Sequence, residues 1–87
     1  MKRLDKSTLF VKQLAELAIS NPKALNKIDR IIRNILKEGL LNFNKGEKLK
    51  HYPNRYSCRI DKQNRLVYEK YKDCIILLSC RGHYEDK

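Results

Sequence analysis

The apolar residues of this chain change their spacing once, and the change falls at Gly39. Before it the period is helical. Between Ser7 and Ser20, Phe10, Leu14, Leu17 and Ala18 recur at three- and four-residue steps, with Lys12, Gln13 and Glu16 between them. That spacing predicts an amphipathic helix, and Ser7 stands where an N-cap belongs. Asn21-Pro22 then restarts the pattern: asparagine suits an N-cap, and proline suits the first helical position because no partner is needed for the N–H it lacks. Ala24, Leu25, Ile28, Ile31, Ile32 and Ile35 form a second stripe. Lys23, Lys27, Arg30 and Arg33 lie largely outside it, and Gly39 is a fitting C-terminal stop. Two helices joined by so tight a turn make a helical hairpin.

After Gly39 the period is that of strands. Residues 40–48, LLNFNKGEK, have no sustained period and read as a loop. Short runs then alternate with turn residues: Leu49–Tyr52, the turn Pro53-Asn54, Tyr56–Asp61, the turn Lys62–Asn64, Arg65–Tyr71, the turn Lys72-Asp73, and Cys74–Arg81. Strands this short, joined by turns this short, form antiparallel hairpins. The last run, CIILLSC, is apolar at both parities, the pattern of a central strand buried on both faces. The fold class is therefore α+β, an N-terminal helical hairpin packed on one face of a small antiparallel sheet. Met1–Lys6 is a candidate short N-terminal strand of poor alternation.

Length and charge narrow the function. A chain of 87 residues has room for one core, so residues 1–87 are expected to form a single domain. Twenty Lys+Arg against ten Asp+Glu leave a net charge of +10, whose self-repulsion is best relieved by a polyanion. No stretch approaches the roughly eighteen apolar residues of a membrane span, and MKRLDKST lacks a signal peptide's apolar run. The expectation is a cytoplasmic protein with no membrane partner. Cys58, Cys74 and Cys80 are odd in number and contain no C-x-x-C, which fits free thiols on strand faces better than a metal site. No metal and no cofactor is expected.

Strand parity then sorts the side chains. Tyr56, Cys58 and Ile60 share one face of their strand, and Ser57, Arg59 and Asp61 the other; Leu66 and Tyr68 oppose Arg65 and Val67. With the apolar sets against the helices, Arg59 and Arg65 project from the opposite face, joined by Ser79, Arg81 and His83 if the register permits. RNA carries its own nucleophile in the 2′-OH, so its cleavage needs a base, an acid and cations for the phosphorane. His83 has an imidazole whose ordinary pKa lies near neutrality, and Arg65 or Arg81 could clamp a phosphate.

The C-terminal half also carries four motifs in order: Gly46-Glu47-Lys48-Leu49-Lys50, Tyr56-Ser57-Cys58-Arg59-Ile60, Asn64-Arg65-Leu66-Val67-Tyr68 and Cys80-Arg81-Gly82-His83-Tyr84. Together they closely resemble the Txe/YoeB group of the RelE/ParE toxin superfamily, whose pattern runs G-x-x-E-x-L-K, W-S-R-R-I, H-R-L-V-Y and C-R-Y-H-Y. The match is strong over about residues 45–84, while residues 7–37 add a compatible helical hairpin. The resemblance implies a bacterial type II toxin that cleaves mRNA in the ribosomal A site and is neutralised by an acidic antitoxin of the Phd/YefM type. It implies Glu47 as general base, His83 as general acid, Arg65 at the scissile phosphate and Tyr84 positioning the RNA. Lys50 and Arg59 match residues that hold the RNA backbone, and Arg81 is grouped with them. mRNA, the ribosome and an antitoxin are the expected partners, with a homodimer as a further possibility. Cys58, Tyr56 and Gly82 depart from the pattern, the first removing one positive charge, and Glu85-Asp86-Lys87 extend past Tyr84. The alternative is a member that binds without chemistry, or a ParE-like inhibitor of DNA gyrase.

Overall fold

α1 (Thr8–Ser20) begins where Ser7 leaves the extended conformation, and the Ser7 Oγ accepts the Phe10 N–H at 2.9 Å. A computed structural model describes residues 3–38, 47–48 and 51–82 of the chain, Glu47 and Lys48 by their backbone alone. α1 stops at Asn21, whose N–H bonds the Leu17 carbonyl at 2.8 Å, and α2 (Pro22–Glu38) starts at the proline. The Asn21 carbonyl accepts the Ala24 N–H at 3.0 Å, and its side-chain amide donates to the Asp61 carboxylate at 3.2 Å.

The hairpin lies on a five-stranded sheet of order β1-β5-β4-β3-β2. The strands are β1 (Arg3–Lys6), β2 (Glu47–Lys48), β3 (Arg55–Arg59), β4 (Arg65–Lys70) and β5 (Cys74–Ser79). Three differences from the sequence expectation stand out. The N-terminal segment is a strand, but it runs parallel to β5, so the sheet is mixed and not wholly antiparallel. It sits at the edge, where only part of Leu4 reaches the core, and this explains its weak alternation. The loop 40–48 ends in β2, paired antiparallel with β3, whereas His51 and Tyr52 belong to no strand. Two residues are too few to show a period. Gly39, residues 40–46 and Leu49-Lys50 lie outside the described residues.

Phe10, Leu17, Ala24, Ile28, Ile31 and Ile35 meet Cys58, Ile60, Leu66, Tyr68, Ile75, Leu77 and Cys80 in one core. Ala18 is exposed, and Leu14, Leu25 and Ile32 are half-covered at its margin. Burial pushes the Tyr68 phenol far up, and its oxygen accepts the Cys58 S–H at 3.8 Å. The Tyr56 ring stacks on Tyr68 with centroids 5.8 Å apart. Cys58 is thus a core residue with 1% exposure, so its departure from the family pattern takes no cation from the opposite face.

Strict alternation along β5 would put Ser79 with Ile75 and Leu77 against the helices. It does not hold. Leu77 pairs with Tyr68 but Ser79 pairs with Val67, leaving Leu78 as the extra residue of a bulge that moves Ser79 to the second face. α1 holds this bulge: the Ser7 N–H bonds the Leu77 carbonyl at 2.9 Å and the Ser7 Oγ donates to the Leu78 carbonyl at 2.7 Å. Beyond it, the Gln13 Oε1 accepts the N–H groups of Cys80 at 2.8 Å and Arg81 at 3.3 Å. Ser7→Ala removes a cap and the bulge's tie together, and is expected to cost about 1–2 kcal/mol, or roughly 5–10 °C in Tm by thermal unfolding. A shift under about 2 °C would show that the bulge stands without Ser7.

Candidate active site

The pairing of β2 with β3, β3 with β4 and β4 with β5 produces one row of Cα partners across the sheet: Glu47, Ser57, Val67, Ser79. Directly paired residues occupy the same face, and this row belongs to the face away from the helices. Ser57 and Val67 are each 2% exposed, so the row has a closed and rigid floor. Arg65 is anchored on it: its Nε donates to the Ser57 Oγ at 2.6 Å. The β2 pairing thus brings Glu47, at its register position, opposite the serine that holds Arg65.

Charge on this face is graded. On one side of the row Arg55 and Glu69 pair across strands, with the Arg55 Nη2 2.8 Å and Nε 3.1 Å from the Glu69 Oε2. The Arg55 hydrogen bonds hold the Glu69 carboxyl below its usual range, and the guanidinium also lies over the Tyr52 ring at 4.0 Å. On the other side Arg59 and Arg65 are direct cross-strand partners. Like charges in that relation repel, and an anion between them relieves the repulsion. The arrangement can receive a phosphate.

A polar network holds Gly82 beside Arg65. In the β3–β4 turn, the Asp61 Oδ1 accepts the N–H groups of Gln63 and Asn64, both at 2.8 Å. The Asn64 Nδ2 donates to the Asp61 oxygens at 3.2 and 3.1 Å. Burial pushes the Asp61 carboxyl up, but these bonds and the one from Asn21 outweigh it and hold the group below the carboxylate range. The Asn64 Oδ1 in turn accepts the Gly82 N–H at 2.9 Å, and the Arg65 N–H bonds the Gly82 carbonyl at 3.1 Å.

Of the residues singled out from sequence, Arg59 and Arg65 lie together on the second face, with Glu47 in the adjoining row. Arg81 is not with them. Its guanidinium pairs with Glu16 of α1 at 3.0 Å, drawn there by the carboxylate. Lys50, His83 and Tyr84 lie outside the described residues. Sequence reasoning missed Ser57, Gln13 and Asn64 as supports. Ser57 could have been found, since parity already put it on the face of Arg59. Among the described residues no group of three or more His, Cys, Asp or Glu is placed to hold a metal ion. None of the described helices is long and apolar enough to cross a membrane.

Comparison with known proteins gives the family and the fold. The model of the YoeB-like toxin of bacterial type II toxin–antitoxin systems matches residues 10–84. The chain belongs to that toxin family. A Streptomyces coelicolor relative described as toxin YoeB is 35% identical over 68 residues, covering 77% of this chain and 81% of that one. The Staphylococcus aureus YoeB dimer superposes with a TM-score of 0.85 at 28% identity, covering 95% of this chain and 98% of that one. The S. aureus YoeB–YefM complex gives 0.81 at 30% identity, covering 97% and 99%.

Two outcomes follow from the charges. Arg59→Gln removes one of two like charges on adjacent strands, so Tm in low-phosphate buffer should hold or rise, by up to about 1 kcal/mol in stability. A clear drop in Tm would contradict the repulsion. Asp61 has a depressed folded-state pKa, so its stabilisation is full above the ordinary carboxylate pKa of about 4 and is lost as pH falls through the lower folded value. Asp61→Asn should lower Tm by roughly 5–10 °C at pH 7, and its gap from the unaltered chain should narrow as pH falls below the ordinary carboxylate pKa. A gap independent of pH would remove Asp61 ionisation from the account.

Proposed function

We propose that this toxin is a ribosome-dependent endonuclease that cleaves mRNA in the A site. The observation that carries the reading is the row that pairs Glu47 with Ser57, the residue on which Arg65 is anchored at 2.6 Å. In this reading Glu47 takes the proton of the 2′-OH, and the resulting oxygen attacks the adjacent phosphorus. Arg65 stabilises the charge gathering on the phosphorane oxygens, where fixed cations act most strongly. His83 gives a proton to the departing 5′-oxygen. The bond broken is P–O5′, the bond formed is P–O2′, and the products are a 2′,3′-cyclic phosphate and a 5′-hydroxyl end. Tyr84 positions the RNA, and Lys50 and Arg59 hold its backbone. Arg81 joins them only after leaving Glu16. No step calls on a metal or a cofactor.

The +10 charge supports the choice of partners. It suits a ribosomal surface, with an affinity that falls steeply with salt, and an acidic antitoxin segment that folds as it binds. The YefM-bound and dimeric states of S. aureus YoeB make an antitoxin of that kind, and self-association, reasonable expectations for this chain. The site of action is then the cytoplasm.

The test is purified protein with programmed ribosomes, the cut ends mapped by primer extension. Cleavage confined to the A-site codon is expected. His83→Ala should slow it about 10²–10⁴-fold, the usual contribution of a general acid. Glu47→Ala should lose less by itself, because the base and the cations overlap in what they supply, and Glu47→Ala with Arg65→Ala should abolish cutting. A 2′-deoxy nucleotide on the 5′ side of the scissile phosphate should block it entirely. Cutting through the deoxy position would sink the mechanism. Intact mRNA alongside inhibited supercoiling would favour a gyrase-directed toxin.

A further inference from the structure

Gly82, the residue before His83, is held from two sides, by the Asn64 side chain and by the Arg65 N–H of β4. β5 ends at Ser79, and the Gly82 N–H goes to the Asn64 Oδ1 at 2.9 Å. Asn64 is 6% exposed, and its amide is used on both sides: Nδ2 to the Asp61 carboxylate, Oδ1 to Gly82. Its orientation is settled by its neighbours, since a carboxylate only accepts and a backbone N–H only donates. The asparagine amide offers a donor and an acceptor at once. Asp61 is in turn tied to Asn21 in the turn between the helices. A continuous chain of bonds therefore runs from the helical hairpin through Asp61 and Asn64 to Gly82. Gly82 itself has φ +83°, a left-handed conformation that costs glycine little and other residues more.

We infer that Asn64 is a positioning residue for cleavage: it fixes the Gly82 N–H, in the backbone that leads into the acid His83. This rests on the acid role given to His83. A general acid acts only within hydrogen-bond reach of its oxygen, and a misplacement of about 1 Å can cost on the order of 10²-fold.

The experiment is a double-mutant cycle on the full chain, with single-turnover cleavage measured at saturating programmed ribosomes and folding checked by circular dichroism. Asn64→Ala should lower the maximal rate about 10–100-fold with little change in the ribosome concentration giving half-maximal rate. In the His83→Ala background the same change should cost nothing further, because a residue that acts through the acid has nothing left to position. Gly82→Ala is the second variant, and should behave alike should Asn64→Ala fold poorly. There is open space around a Cβ at Gly82, so that variant disturbs the backbone angle and not the packing. If His83→Ala is slow but Asn64→Ala or Gly82→Ala runs at the unaltered rate, the positioning role alone is overturned. Equal, additive losses in both backgrounds overturn it too, by showing a general structural effect. If His83→Ala cleaves normally, the acid assignment fails and the positioning role goes with it.

Discussion

The structure depends on how the backbone of residues 77–82 is held once it leaves the regular ladder. A sheet strand satisfies its N–H and C=O groups against its neighbours, and a bulge interrupts that pairing. Here α1 steps in. Ser7 bonds the Leu77 and Leu78 carbonyls, Gln13 takes the Cys80 and Arg81 N–H groups, and Asn64 takes that of Gly82. The helix is therefore more than a cover for the core. Its polar residues terminate β5, and they do so at the approach to the C-terminal motif. Without the bulge Ser79 would follow Leu77 into the core and the row Glu47, Ser57, Val67, Ser79 would be broken at its last strand.

The second constraint is electrostatic. A small chain with ten more positive than negative groups carries repulsion everywhere, but it is distributed unevenly. Arg55 and Glu69 neutralise each other at one end of the second face, and Arg81 is drawn off by Glu16. Arg59 and Arg65 are cross-strand partners beside the buried Ser57 and Val67. Cations held on adjacent strands need little reorganisation to meet a phosphate, which is the condition under which fixed charge does most for a reaction.

Much of this was legible from residue order. Ser7, Pro22 and the 3.6-residue stripe gave the hairpin, and period-two alternation gave β3 and β4 with Arg59 and Arg65 on one face. What escaped was whatever one element does to another. β2 is two residues long and has no period of its own; it is a strand because β3 offers it a partner. The β5 bulge depends on Ser7, some seventy residues away in sequence. Arg81 pairs with Glu16 of α1, a contact that residue order does not show. Cys58 looked like a missing cation, yet its alternation with Arg59 already assigned it to the core. Asn64 read as an ordinary turn residue, since nothing in the string DKQN reveals that its amide reaches Gly82.

The division between faces explains how a domain this small can hold a demanding geometry. Leu66 and Tyr68 are wholly buried against the helices, and Arg65 and Val67 alternate with them on the other side. A slip of one residue would expose the first pair and bury the arginine, so the cost of exposing the core fixes where the arginine stands. Placement of the charges therefore needs no separate stabilisation: it follows from the hydrophobic register. The corollary is that changes at exposed positions of the second face, such as Arg59, leave folding almost untouched. Stability and activity can then vary independently at neighbouring positions of the same strand, except where a single residue serves both. Asp61 and Asn64 are such residues, because the bonds that close the β3–β4 turn are also those that hold Gly82.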